Sequence, residues 1–155
     1  MKQNAGFWLP DGDTYFGPIL ERGQWEPDKI EAALAHVRDF SVAVDGGAHV
    51  GLYTRALAER FAEVHAFEPA EDTYACLLRN MATTDRVRCW RVALGDRFHH
   101  VEVREDTGRP GNTGARFVEA VKGIAAGKMR PLDHFALTGV GFIKLDLEGA
   151  ELLAL

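Results

Sequence analysis

Residues 41–54 read SVAVDGGAHVGLYT. An apolar run, Ser41 to Val44, gives way to an acid, a pair of glycines, a histidine and a third glycine before a helix-like pattern opens at Gly51. A strand that passes into a helix with so little side chain between them lets the backbone approach something closely. At the C-terminal edge of a parallel sheet, that turn is where open α/β folds bind ligands.

The pattern on either side predicts such a sheet. Upstream, Ile30, Ala33, Leu34 and Val37 fall at helical spacing behind Asp28, which can cap the start. Downstream, a helix over 51–61 is followed by a strand over 63–67, a helix over 70–81 with Tyr74, Leu77, Leu78 and Met81 on one face, and a strand over 87–92. The run GFIKLDL, 141–147, suits a strand buried on both faces. Alternation of this kind predicts an α/β, Rossmann-like fold, a mainly parallel sheet with helices on both faces. Between the third and fourth strands, 99–105 alternates like a short strand and 108–114, GRPGNTG, is loop. Residues 1–26 mix Trp8, Tyr15, Phe16 and Trp25 with turn formers and read as an aromatic-rich segment packed on a single domain, 1–155.

Composition narrows the partners. The chain has 155 residues, 46% of them hydrophobic, and a formal net charge of −5, which gives no pull toward nucleic acid or an anionic membrane. Cys76 and Cys89 form no CxxC pair and sit on segments expected to be buried, which fits reduced thiols in the cytoplasm. No run is long enough for a signal peptide or a membrane span.

The chemistry of the turn turns on Asp45. A dinucleotide fingerprint is GxGxxG and receives a pyrophosphate, whereas the frame here is DGGAHVG, with a carboxylate at the strand end. A carboxylate repels pyrophosphate and suits a cation, so S-adenosylmethionine, with its sulfonium and ammonium, fits better than NAD. The second strand ends in Phe67-Glu68-Pro69, with Glu68 placed 17 residues after Gly51, where an acid can take both ribose hydroxyls. Both cofactor classes put an acid there, so Glu68 discriminates only together with Asp45.

These blocks carry a family resemblance. DGGAHVG resembles the D-x-G-A-N-x-G turn of the FkbM family of S-adenosylmethionine-dependent methyltransferases, AFEP its second-strand ending, and IKLDLEGAE its fourth-strand signature; RVALGD and PLDHF resemble weaker blocks between. The likeness runs from about Phe40 to the C-terminus. It implies a class I methyltransferase fold that transfers a methyl group to oxygen, on a small hydroxylated acceptor such as a sugar. It also implies that Gly47, Ala48, His49 and Gly51 hold the methionine end, that Asp45 meets the ammonium, that Glu68 with Pro69 holds the ribose, and that Ala93 and Leu94 edge the adenine. Asp146, Glu148 and His134, in that order, are candidates for the base that takes the hydroxyl proton. Asp146 and Glu148 can equally cap the helix that follows.

His49 departs from the pattern, which has Asn there. Family members also continue past EGAE, while this chain stops at Leu155, which implies missing C-terminal strands, an uncovered edge on the fourth strand and self-association through it. A cofactor-binding module without turnover is therefore one alternative, and an NAD-dependent oxidoreductase, disfavoured by the turn, is another. His99 and His100 face opposite sides of a strand and do not suit one metal ion. Arg86, Arg88 and Arg91 around Trp90 read as a solvated face with one ring tucked inward rather than a nucleic-acid surface.

Overall fold

The computed structural model describes residues 1–23, 27–123, 125 and 127–154; Trp25 of the entry segment and Leu155 lie outside them. The chain opens with β1 (Lys2–Asn4), β2 (Phe7–Leu9), α1 (Phe16–Glu21) and α2 (Pro27–Leu34). The alternating part follows as β3 (Val42–Gly46), α3 (Leu52–Ala58), β4 (Glu63–Phe67), α4 (Glu71–Asn80) and β5 (Val87–Trp90). Then come β6 (Ala93–Leu94), β7 (His99–Arg104), β8 (Phe117–Val121), β9 (Gly127–Arg130), β10 (Val140–Leu145) and α5 (Glu151–Ala154). Short 3-10 turns occupy Thr113–Ala115 and Leu132–Phe135.

The strands pair as a parallel sheet in the order β10-β3-β4-β5, with β3 and β4 at its centre and β10, expected to be buried on both faces, half-buried at one edge. Strand order reverses at β3, since the chain moves outward through β4 and β5 and returns to pair β10 on the other side. That reversal is the switch point outside which an open α/β sheet forms its crevice. The fold is thus α/β and Rossmann-like. Side-chain alternation divides the core into two layers. On one face Ala43 and Val64 pack with Ile30, Leu34, Leu57 and Phe61, and Ala66 packs with Leu77 and Met81 from α4. The other face, Val44 and Phe67, is covered by Leu94, the 3-10 turn Leu132–Phe135 and Ala154 of α5.

Two features were not in the sequence reading. The strand expected over 87–92 ends at Trp90, and Ala93–Leu94 joins a second sheet, β6-β9-β7-β8, in which β7 runs antiparallel to both neighbours. The entry segment is ordered as a hairpin, turned at Ala5 and Gly6 with φ of +45° and +81°, the left-handed pair that two-residue hairpins require. Leu9 packs with Val50, Leu52 and Cys76, while Arg79 lies 3.8 Å over the Trp8 ring. No helix among the described residues is long and apolar enough to cross a membrane.

One buried amide joins this hairpin to the domain. Asn80 Oδ1 accepts from the Trp8 amide at 2.7 Å, and its Nδ2 donates to the carbonyls of Trp8 at 3.0 Å and Val50 at 2.7 Å. Asn80→Ala removes all three bonds and strands buried backbone groups, so we expect a loss of about 2–3 kcal/mol. Urea denaturation of the two proteins measures it, and a change below about 0.5 kcal/mol, the range of ordinary surface substitutions, contradicts the assignment.

Candidate functional site

The turn after β3 is built around a buried ion pair. Asp45 and Lys144 are lateral neighbours in the β3/β10 register, and Lys144 Nζ lies 3.0 Å from Asp45 Oδ1. Thr54 Oγ1 from α3 donates to Asp45 Oδ2 at 2.6 Å, and Lys144 also donates to the carbonyls of Gly47 at 2.9 Å and Gly46 at 3.3 Å. Asp45 is completely buried and does not line the cavity described below. The cation that it meets is therefore this chain's own. The sequence argument from a free carboxylate at the strand end is corrected here: burial without a partner would cost several kcal/mol, and Lys144 supplies that partner.

The amides of the turn are occupied as well. Gly47 N and Ala48 N both donate to the Phe67 carbonyl, at 3.0 and 2.9 Å, Gly51 N donates to the Ala48 carbonyl, and His49 N donates to Glu68 Oε2 at 2.9 Å. These four residues therefore present no free amides to a ligand, and α3 is only seven residues long. The glycines are needed for space. Gly47 has φ +72°, and a Cβ there would fall on the Asp146 carbonyl oxygen; at Gly51, φ +92°, a Cβ would come within 2.7 Å of Leu77 Cδ1.

Glu68 is buried at the end of β4, and its carboxylate knits three pieces together. Oε2 takes the His49 amide, and Oε1 takes the Ala70 amide at 2.9 Å and the Thr73 hydroxyl at 2.8 Å. Burial pushes its pKa up, against the pull of these hydrogen bonds and of Lys144. His49 sits in the left-handed region, φ +51°, a conformation that Asn and His adopt more readily than bulkier residues. Its Nε2 lies 2.7 Å from Thr113 Oγ1, its ring packs 4.6 Å from Phe16, and its Nδ1 is buried with no partner among the described residues.

Above the turn lies a cavity of about 440 Å³. Gly47, Ala48, His49, Glu68, Pro69, Ala93, Leu94 and Asp146 of the expected site line it; Asp45 and Gly51 lie behind it. Of the three candidate bases, only Asp146 reaches it. Glu148, at φ +50°, is held by Arg109 Nη2 at 2.9 Å, and the exposed His134 packs edge-on against Phe98 and Phe135. The helix-capping alternative goes to neither acid: Glu151 Oε1 takes the Leu147 amide at 2.7 Å. Sequence reading missed Lys144, Arg116, Thr113 and Ile19; of the aromatic entry segment, Tyr15 and Phe16 wall the cavity and Trp8 does not. Lys144 was visible as a lone charge inside an apolar run. Arg116 is engaged by Asp72 at 2.6 Å and Glu105 at 3.0 Å. Arg88 pairs with Glu63 and Arg91 with Glu71, while Trp90 stacks with Phe67 and meets Phe135 edge-on.

No family model matches the sequence, and no curated protein matches it. Among solved structures, the Haemonchus contortus phosphoethanolamine N-methyltransferase 1, in complex with phosphoethanolamine and S-adenosylhomocysteine, is similar over 48% of this chain and 18% of its own, with 17% identity and a TM-score of 0.39. The precorrin 8w decarboxylase of Methanobacterium thermoautotrophicum is similar over 58% of this chain and 47% of its own, with 23% identity and a TM-score of 0.41. This chain spans less than half the length of either.

Burial lowers the His49 pKa to about 4, with Arg116 and Lys144 adding to the effect and Asp13 opposing it. A histidine depressed from 6.5 in the folded state stabilises the protein fully above pH 6.5 and loses that contribution as pH falls toward about 4. The full difference is roughly 3 kcal/mol. Glu68, whose pKa is raised, contributes in the opposite sense, so wild type must be compared with His49→Asn, which retains Glu68. We expect wild type to lose more stability than this variant between pH 6.5 and about 4. Urea melts across that range test it, and parallel curves contradict a buried neutral imidazole.

Proposed function

We propose that the cavity binds S-adenosylmethionine and that the chain is a methyltransferase, acting on a hydroxyl of a sugar or other small molecule. The observation that carries the cofactor reading is the turn itself. The amides of Gly47, Ala48, His49 and Gly51 are all spent within the chain, so these four make no cradle for a pyrophosphate, while Glu68 lines the cavity at the end of β4. A volume of about 440 Å³ lies in the ordinary range for a small-molecule site. The resemblance of DGGAHVG, AFEP and IKLDLEGAE to the FkbM family supports oxygen as the methyl acceptor.

When bound, this cofactor supplies an electrophilic methyl group on a sulfonium, and its transfer to a hydroxyl leaves a thioether and a proton. The chain's share is orientation, exclusion of water and disposal of that proton. Glu68 accepts from a ribose hydroxyl with the one lone pair that its three internal bonds leave on Oε2. Gly47 and Ala48 give the methionine end a floor without side chains, and Ala93 and Leu94 flank the base. Tyr15 and Phe16 wall off water from the entry-segment side. Asp146, two-thirds exposed and lining the cavity, takes the proton. Because it is the one candidate base of three that reaches the cavity, binding without turnover is the second reading.

Calorimetric titration with S-adenosylhomocysteine and with NAD separates the cofactor classes, and we expect the first alone to bind. Glu68→Ala should weaken it by on the order of 2 kcal/mol through loss of a charge-assisted contact to a ribose hydroxyl. NAD binding, or unchanged affinity in a folded Glu68→Ala protein, contradicts the reading. Transfer of radiolabelled methyl to a panel of sugars, lost in Asp146→Asn, separates an enzyme from a binding module.

A further inference from the structure

Asp13 lies in the stretch DGDTYFG of the entry segment and Thr113 in the loop GNTG, 100 residues apart. The fold brings both to His49. Asp13 is completely buried; its Oδ1 takes the Phe16 amide at 2.8 Å, and its Oδ2 takes the Thr113 hydroxyl at 2.6 Å. A carboxylate has no proton to give, so the Thr113 hydroxyl donates toward Asp13 and turns a lone pair to His49 Nε2, 2.7 Å away. Nε2 therefore carries the hydrogen. In a neutral imidazole Nδ1 is then a bare acceptor, and it is buried without a partner among the described residues.

A buried acceptor without a donor is unfavourable, and the surroundings leave the cavity as the source of one. Phe16 packs against the ring, the Lys144 ammonium is held by Asp45 and two backbone carbonyls, and the Arg116 guanidinium is held by Asp72 and Glu105. A ligand carboxylate or carbonyl placed at Nδ1 would oppose lone pair to lone pair. An ammonium has donors only; the acids Glu68 and Asp146 on the same cavity stand against the cations Lys144 and Arg116, with Asp146 4.0 Å from the Lys144 ammonium.

We infer that Asp13 and Thr113 are positioning residues that fix His49 as a hydrogen-bond acceptor, and that His49 thereby selects for the α-ammonium of the cofactor's amino-acid end. This rests on the reading that the cavity takes S-adenosylmethionine. The selection is set by the relay rather than by the imidazole alone, because the other tautomer would present a donor and favour the carboxylate instead.

The test joins a tautomer measurement to a ligand comparison. Long-range ¹⁵N–¹H spectra report which nitrogen of His49 is protonated, and calorimetry compares S-adenosylhomocysteine with its analogue in which hydrogen replaces the amino group. In wild type we expect the Nε2–H tautomer and at least about a tenfold preference for the amine. Thr113→Val removes the hydroxyl at nearly constant shape and should mix the tautomers and shrink the preference, while Thr113→Ser should retain both. Equal affinity of wild type for the two ligands overturns the inference, as does Thr113→Val with tautomer and preference intact. If wild type binds S-adenosylhomocysteine and only these differences fail, the cofactor reading survives; if it does not bind, both fall.

Discussion

The structure depends on the pairing of Asp45 with Lys144. The two residues face each other across neighbouring parallel strands, one wholly buried, the other nearly so, with 3.0 Å between the charges. Such a pair contributes little net stability compared with an apolar pair of equal volume, but it penalises alternatives heavily, because separating the charges leaves a buried carboxylate alone. A slip of one residue between β3 and β10 would turn the two side chains to opposite faces. The pair therefore fixes the register at the switch point of the sheet. Thr54 on the second carboxylate oxygen extends the same constraint to α3, and the carbonyls of Gly46 and Gly47 on the ammonium extend it to the turn.

Once the carbonyls of the turn face Lys144, its amides face the other way, toward the Phe67 carbonyl and Glu68. Glu68 then serves two masters: it closes the start of α4 through Ala70 and Thr73, and it holds the His49 amide. The cost is a carboxylate buried at the end of a strand, with its pKa pushed up. Buried, hydrogen-bonded groups of this kind concentrate where ligands bind, because a group satisfied on one side and facing a cavity on the other needs little reorganisation when a ligand arrives.

Much of this was legible in the sequence, for identifiable reasons. β3 and β4 lie buried inside the parallel sheet as their sequence predicts, whereas β10, expected to be buried on both faces, is a half-buried edge strand; α4 forms where helical spacing predicts it, but its buried face is Thr73, Cys76, Leu77 and Asn80, and Leu78 is exposed. The glycines of the turn announce close backbone approach. β8 and β9 were not legible, because FVEAV and GKMR lie in a largely exposed ribbon and lack the alternation that burial on one face imposes. The break after Trp90 was hidden because VRCWRVAL contains no Gly or Pro to mark the passage from one sheet to the other. Within the site, an acid that needs a cation could be read at Asp45, but not which cation. The partnership of Asp13, Thr113 and His49 is formed by tertiary packing between segments 100 residues apart, with no local signature.

The choice of residue at position 49 brings backbone and side chain into one argument. Its φ of +51° restricts the position to Gly and to the short or planar polar residues that tolerate the left-handed region, chiefly Asn, Asp and His. Gly would satisfy the backbone and leave Thr113 facing an empty space. Asp would add a third carboxylate beside Glu68 and Asp13 in a poorly solvated site, where like charges raise one another's pKa and one would take up a proton. Asn fits, and its amide can present either oxygen or nitrogen to the cavity by a flip of its terminal group. His differs from Asn because its two nitrogens are coupled: a hydrogen held on Nε2 by Thr113 obliges Nδ1 to accept. The same buried relay that ties the entry segment to the domain thus fixes the role of Nδ1, a buried atom of the turn for which the described residues supply no partner.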